Sequence, residues 1–184
     1  LADIANNILP GEKIDSIAYG CTSGSIAIGD KIISEEIHKS KADVYVVTPI
    51  SATIKALMYL KVNKIAVLTP YPQKVNKTIF DYITKSNIEI TSFSSFNLEY
   101  DSDIANVDPK FLIETINKVD HKNADAVFIS CTALRAVEVL DQIEEKISKY
   151  VISSNQAMIW DCLRSVNMNN SISGYGKLLS NLNS

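Results

Sequence analysis

Two cysteine–threonine pairs are the residues of this sequence that are best suited to chemistry. Cys21-Thr22 and Cys131-Thr132 each follow a short apolar run. An ionised thiol is a strong nucleophile and can also exchange protons, while a hydroxyl beside it can bind an oxyanion. Two opposed acid/base groups are what inversion at a carbon acid requires, with one group on each face. Cys21 and Cys131 are therefore the candidate catalytic pair.

The two pairs occupy equivalent places in an internal repeat. Residues 15–22, DSIAYGCT, align with residues 125–132, DAVFISCT. Further along, residues 45–48, YVVT, align with residues 150–153, YVIS. Each copy has the pattern strand, helix, strand, helix, and carries its Cys-Thr pair at the carboxyl end of its first strand.

Short runs rich in Val and Ile alternate with longer stretches of helical period, which predicts a parallel α/β sheet. The predicted strands are 14–20, 43–48, 64–69, 88–93, 125–130 and 150–153, and the predicted helices are 25–38, 51–61, 74–86, 109–119, 133–147 and 155–167, with helical remnants at 2–9 and 177–182.

Polar residues mark several predicted boundaries between elements. Asp108, followed by proline, is expected to cap a helix, Asn76 to anchor a helix start and Asn155 to act as an N-cap. The segment from Ser92 to Val107 is predicted to be the one long irregular connection, and such loops in α/β domains are usually functional.

The predicted fold places both cysteines where ligands bind. Ligands of open α/β sheets bind beyond the carboxyl ends of the strands, and each Cys-Thr pair is predicted to open a helix there. The helix dipole is expected to lower the pKa of the thiols of Cys21 and Cys131. The hydroxyls and amides of Thr22, Ser23 and Thr132 are expected to hold a carboxylate.

Composition excludes several other classes of protein. Hydrophobic residues make up 46% and charged residues 21%, so the chain can bury a core. The net charge of −3, without a basic run, argues against nucleic-acid binding. No apolar stretch approaches the ~18 residues of a membrane span, and the first residues lack the features of a signal peptide, which predicts a cytoplasmic protein.

The remaining cysteine and the two histidines offer no second chemistry. An odd number of cysteines argues against a disulfide framework, and no Cys-x-x-Cys motif supports a metal site. Gly-x-Ser-x-Gly is absent, which argues against a serine hydrolase. Cys162 shares a helical face with Ile159 and Val166 and is predicted to be a core residue.

The motifs resemble a known family. The stretches that carry the resemblance are AYGCTSGS at 18–25, VVTPISATIKAL at 46–57, IAVLTPYPQKVN at 65–76, FISCTALRAVEVL at 128–140 and VISSNQAMIWDCLR at 151–164. They resemble the aspartate/glutamate/hydantoin racemase superfamily, in the branch of maleate cis-trans isomerase, the ectoine-utilisation protein and arylmalonate decarboxylase. The resemblance implies two flavodoxin-like parallel-sheet domains related by a pseudo-two-fold axis, with the site between them. It also implies a homo-oligomer that needs no cofactor and acts on a small carboxylate.

The resemblance also implies roles for single residues. Cys21 corresponds to the nucleophile that adds to the double bond of maleate, and Cys131 to the cysteine that handles the proton. Thr22, Ser23 and Tyr71 correspond to positions that hold carboxylate oxygens. Arylmalonate decarboxylases have Gly in place of Cys21, so this chain resembles the isomerase or racemase branch. A decarboxylase, or a carboxylate-binding protein of an ectoine-utilisation pathway, remains an alternative.

The same resemblance divides the chain into two domains. Residues 1–62 with 154–184 are predicted to form the first domain, and residues 63–153 the second. Two predicted strands precede the strand that leads to Cys131, whereas only a helical remnant precedes the one that leads to Cys21. The first domain is therefore expected to lack about one β-α-β unit at its N-terminus.

Overall fold

The computed structural model describes residues 1–182 and contains two parallel sheets. The last two residues of the predicted first domain, 183 and 184, lie outside the described part. The strands are β1 (Ser16–Ala18), β2 (Tyr45–Val47), β3 (Lys64–Thr69), β4 (Glu89–Ser95), β5 (Ala126–Ile129) and β6 (Tyr150–Ser153). β1 pairs with β2, and the other strands form a second sheet in the order β4-β3-β5-β6. The prediction of an α/β fold with parallel sheets is confirmed.

Helices make the crossovers that parallel strands require. They are α1 (Ala2–Asn6), α2 (Thr22–Ile28), α3 (Asp30–His38), α4 (Pro49–Tyr59), α5 (Gln73–Lys85), α6 (Asp101–Ala105), α7 (Pro109–Lys118), a 3-10 turn (Ala136–Val139), α8 (Leu140–Ile147), α9 (Ser154–Ser165) and α10 (Lys177–Ser180). Within residues 1–182, no helix has the length and hydrophobicity of a membrane span.

The internal repeat corresponds to a repeated strand pairing. Ser16 of β1 lies opposite Tyr45 of β2, and Ala126 of β5 lies opposite Tyr150 of β6. These are the positions that align between the two copies of the sequence repeat. The two copies therefore share their register as well as their order of elements.

The predicted helix 25–38 is wrong in one respect, because the structure divides it into α2 and α3 at Gly29. Gly29 has a φ of +95°, a conformation that favours glycine, and its amide closes the last turn of α2. The first residue of α3, Asp30, accepts hydrogen bonds from Thr48 at 2.6 Å and from Tyr82 at 2.7 Å. These contacts fix the direction in which α3 leaves the break.

The predicted irregular connection from Ser92 to Val107 is mostly regular. β4 stays paired with β3 as far as Ser95, and α6 occupies part of the remainder. Serines flank Phe93, and a search for apolar runs therefore ends the strand at Phe93, two residues before β4 ends at Ser95. The short irregular piece that follows lies beside the 69–71 turn, since the Leu98 amide donates to the Pro70 carbonyl at 2.7 Å.

The predicted helix 133–147 begins later than expected. The chain makes a 3-10 turn at Ala136–Val139 before α8 starts at Leu140. No regular helix therefore starts directly after Cys131. The Asp108 cap, by contrast, is confirmed, because its carboxylate accepts the Lys110 amide at 2.9 Å.

Cys131 has an unusual backbone conformation for a residue with a Cβ atom. Its φ is +105°, outside the regions that side-chain-bearing residues normally occupy. Such conformations cost about 1–3 kcal/mol and persist where surrounding contacts impose them. The turn after β5 therefore stores strain at the second cysteine.

This strain can be measured by comparing two variants at the same position. We expect Cys131→Gly to be more stable to urea unfolding than Cys131→Ala by about 1 kcal/mol, because only alanine keeps a Cβ atom at positive φ. The matched pair at Cys162, inside α9, should show the opposite order, since glycine is the poorer residue within a helix. Equal stability of the two position-131 variants would contradict the strain.

Candidate active site

Cys21 lies in the open at the start of α2. It is the N-cap of that helix, with extended backbone angles, and its Sγ accepts the Gly24 amide at 3.3 Å. The Ser23 hydroxyl lies 3.8 Å from the same sulfur. The side chain is solvent-exposed, so a small molecule can reach the sulfur.

Cys131 has a different environment from its repeat partner. Its side chain is buried, and its Sγ accepts the Ala133 amide at 3.4 Å. Burial raises the pKa of this thiol above its ordinary value, although hydrogen bonds from Tyr71 and from two amides oppose the increase. The expectation that a helix dipole lowers the pKa of both thiols is therefore wrong for Cys131.

Hydrogen bonds bring the two Cys-Thr pairs into contact. The Thr22 hydroxyl donates to Ser154 Oγ at 3.0 Å, and the Cys131 amide donates to the same oxygen at 3.1 Å. On the other side, the Thr132 hydroxyl donates to the carbonyl of Gly20 at 2.8 Å. We call this set of three hydrogen bonds the junction. Through the junction, Gly20 and Thr22, which flank Cys21, are connected to Cys131 and Thr132.

Two residues at the start of α9 contribute here although they were not predicted to do so. Ser154 belongs to the junction, and Asn155 lies beside it. Ser153, rather than Asn155, caps α9 by accepting the Gln156 amide at 3.2 Å, which corrects the predicted cap. The Asn155 side chain instead donates to the Thr132 carbonyl at 3.0 Å. A run of polar residues directly after a buried strand is the signal that could have revealed this pair.

Tyr71 lies against the second cysteine. It follows β3 on a turn and is only 6% exposed. Burial and the neighbouring Cys131 raise the pKa of its hydroxyl, which also interacts with Thr22. Asn76 donates to the Tyr71 carbonyl at 2.6 Å, which confirms its predicted role as an anchor of this helix start.

The four predicted substrate-binding residues divide into two kinds. A hydroxyl has a single proton to donate, and Thr22 and Thr132 donate theirs within the junction. Ser23 lies beside the sulfur of Cys21, and Tyr71 interacts with Cys131. Ser23 is therefore better placed to bind a ligand than the two threonines, whereas the Tyr71 hydroxyl is already engaged with Cys131.

A groove of about 400 Å³ opens between α2 and α5 beside the first cysteine. Ser23 and Gly24 line one side, and Lys74, Val75 and Thr78 line the other. Among the residues that the structure describes, no three His, Cys, Asp or Glu side chains gather as a metal site would require. The groups next to Cys21 that can take part in chemistry are its own thiol, the Ser23 hydroxyl and the Gly24 amide.

Two maleate isomerases are similar in sequence to this chain. A maleate isomerase of Geobacillus stearothermophilus is 29% identical over 136 residues, which are 73% of this chain and 54% of that protein. A maleate isomerase of Alcaligenes faecalis is 21% identical over 180 residues, covering 94% of this chain and 71% of the relative. The chain thus spans between about half and about seven-tenths of the length of these relatives.

Solved structures agree on the fold. The maleate isomerase Iso from Pseudomonas putida S16 superposes with a TM-score of 0.89 at 22% identity, covering 98% of this chain and 74% of that one. Unliganded arylmalonate decarboxylase gives a TM-score of 0.78 at 21% identity over 89% of this chain and 74% of the other. A family model described as arylmalonate decarboxylase matches residues 11–179. The match extends over nearly the whole sequence, and the chain therefore belongs to the arylmalonate decarboxylase family, as its motifs predicted.

Proposed function

We propose that this chain carries the site of a cofactor-independent isomerase that acts on the double bond of a small unsaturated dicarboxylate such as maleate. The observation that carries the proposal is the junction, whose hydrogen bonds tie the turn of an exposed thiol to the turn of a buried thiol. Support comes from the maleate isomerases that the chain resembles. A Nocardia farcinica maleate cis-trans isomerase variant carries a covalently bound succinylcysteine intermediate.

The first half of the proposed reaction forms a covalent adduct. The Cys21 thiolate attacks one alkene carbon, forming a carbon–sulfur bond while the π electrons move to the neighbouring carbon and its carboxylate. Cys131 then donates its proton to that carbon. Because burial raises its pKa, Cys131 is protonated at neutral pH and suited to this step.

The second half reverses these steps after a rotation. The former double bond is now single, so the two carboxylate-bearing carbons can rotate about it. Cys131, now a thiolate, removes a proton from the same carbon, and the electrons re-form the double bond as the bond to Cys21 breaks. Both thiols return to their starting states, and no redox partner is required.

The substrate carboxylates need hydrogen-bond donors on both sides of the reacting carbons. Ser23 beside Cys21 and Tyr71 beside Cys131 would supply one donor each. Thr22 and Thr132 would take part through their backbone amides, or through a change of hydroxyl partner when substrate binds. Lys74 in the neighbouring groove adds a positive charge that attracts an anion.

A decarboxylase is the second candidate, because the matching family model bears that name. Decarboxylation followed by protonation needs a single thiol, and Cys131 beside Tyr71 would suffice. The presence of Cys21, a cysteine that arylmalonate decarboxylases are expected to lack, favours the isomerase. Arylmalonate and maleate offered separately, with the products followed by NMR in D2O, distinguish the two reactions.

Three further inferences concern the setting of the site. We infer that the protein is cytoplasmic, consistent with its three free cysteines, and that it forms a homo-oligomer. A role in ectoine utilisation stays a prediction.

We also infer that residues 1–62 with 154–184 form one domain and residues 63–153 the other. In support, α9 packs on α4, β1 and β2, and the two ranges meet where α9 and α10 contact β6.

The two-thiol mechanism predicts a trapped adduct. Cys131→Ser incubated with maleate should accumulate a covalent adduct on Cys21, because water can slowly supply the proton that Cys131 would have donated, whereas no base remains to remove it, and turnover should fall at least ~100-fold. Mass spectrometry of the Cys21 peptide detects the adduct. Cys21→Ser should form none, while Cys162→Ser should behave like the unmodified chain. Full turnover in the Cys21 or Cys131 variant would rule out the mechanism.

Substrate holding predicts a loss of affinity in Tyr71→Phe. Removing this hydroxyl should weaken binding of succinate by about 1–3 kcal/mol, since a buried carboxylate is left one donor short. Isothermal titration calorimetry measures the change, with Tyr175→Phe, an exposed tyrosine near the C-terminus, as the control. Unchanged affinity in Tyr71→Phe would remove this residue from the binding site.

Burial of Cys131 predicts a titration above the ordinary thiol value of 9.0. NMR of isotope-labelled cysteine Cβ should place its midpoint higher, and Tyr71→Phe should raise it further because the tyrosine hydroxyl favours the thiolate. Since the folded-state pKa exceeds the unfolded one, the contribution of this thiol to stability should decline as pH rises through 9.0. A midpoint below 9.0 would contradict the role of Cys131 as proton donor.

A further inference from the structure

A second tyrosine, Tyr19, brings its hydroxyl to the first cysteine. A Cβ atom placed on Gly24 would lie 2.9 Å from the Tyr19 hydroxyl oxygen and 3.0 Å from Cys21 Sγ. The hydroxyl and the sulfur therefore border the same small space above Gly24. A residue larger than glycine would have to displace one of them.

The backbone holds Tyr19 in this place. Its amide donates to the Val47 carbonyl at 2.8 Å, which continues the pairing of β1 with β2 beyond the end of the strand. Its carbonyl accepts the Cys21 amide at 3.0 Å. The half-buried ring packs against the small core around Ile17 and Ile33. The side chain is thus anchored at its base and along its ring.

The Tyr19 hydroxyl has no protein partner within residues 1–182. Tyr71 and Tyr82, by contrast, engage Cys131 and Asp30. A phenol keeps its proton at neutral pH and can donate it. The sulfur of Cys21 borders the same space above Gly24 and is an acceptor that the hydroxyl can turn towards.

We propose that Tyr19 is a positioning residue whose hydroxyl turns towards Cys21 and donates a hydrogen bond to its sulfur once that thiol has ionised. The inference rests on the proposed nucleophilic role of Cys21. The Gly24 amide already donates to this sulfur at 3.3 Å, and the Ser23 hydroxyl lies 3.8 Å away. Tyr19 adds a donor from the position directly after β1, the strand that precedes the cysteine. Charge-assisted hydrogen bonds of this kind stabilise the ionised form of the acceptor.

Other titratable groups surround this site and stay unchanged in the test. Lys74 of α5 lines the groove with Ser23 and Gly24, and Tyr71 reaches Thr22 while interacting with Cys131. A substitution at Tyr19 alters none of these side chains. A difference in Cys21 alkylation between the unmodified chain and Tyr19→Phe therefore measures the effect of the Tyr19 hydroxyl.

The test is the pH dependence of Cys21 alkylation by iodoacetamide, followed by mass spectrometry of the Cys21 peptide. Tyr19→Phe keeps the ring and removes the hydroxyl. We expect the midpoint of the alkylation profile to rise by about one pH unit, a tenfold smaller thiolate fraction at neutral pH. Gly24→Ala, which forces the hydroxyl and the sulfur apart, should shift the midpoint in the same direction.

Tyr175→Phe serves as the matched control and should leave the profile unchanged. An unchanged midpoint in Tyr19→Phe, or an equal shift in the control, would overturn the proposal. If Tyr19→Phe does not fold, as judged by circular dichroism, an unchanged midpoint in Gly24→Ala has the same consequence. Alkylation needs no substrate, so a protein that fails to isomerise maleate can still show the shift, and the two proposals fail separately.

Discussion

The site depends on one buried oxygen atom. Ser154 Oγ accepts a hydroxyl proton from the residue after Cys21 and an amide proton from Cys131 itself. Ser154 is fully buried, so neither donor can exchange its partner for water without cost. Together with the bond from Thr132 to the Gly20 carbonyl, it ties the two turns that carry the cysteines to each other through side-chain hydroxyls. A reaction that needs two groups on opposite faces of one molecule requires a fixed spacing between them.

The two cysteines are equivalent in the repeat and different in their surroundings. Cys21 is an exposed helix cap, whereas Cys131 is buried, strained and paired with Tyr71. Exposure suits a nucleophile that must meet its substrate, and burial suits a thiol that must stay protonated until it is used. A symmetric framework thus supplies two unlike chemical groups, and the difference comes from what each copy packs against.

Sequence patterns predicted the parts of the fold that depend on local residue order. Apolar runs located all six strands, and the repeat predicted the equal pairing of β1 with β2 and of β5 with β6. Predictions were wrong where a local sequence pattern was compatible with two different structures. Gly29 ended a helix that periodicity would have continued, the serines of β4 resembled a loop, and Asn155 contacts a neighbouring turn although its position suited a cap.

The sequence by itself determined the family, the parallel α/β architecture and the two candidate cysteines, because strand periodicity and repeated motifs are encoded in local order. Only the tertiary structure decided what surrounds these residues. Burial raises the pKa of Cys131, and a hydrogen bond from Tyr71, a residue far away along the chain, opposes that increase. The donation by Thr22 to Ser154 likewise joins residues that are 132 positions apart. Such contacts arise when separate elements pack, so no spacing within one segment can reveal them.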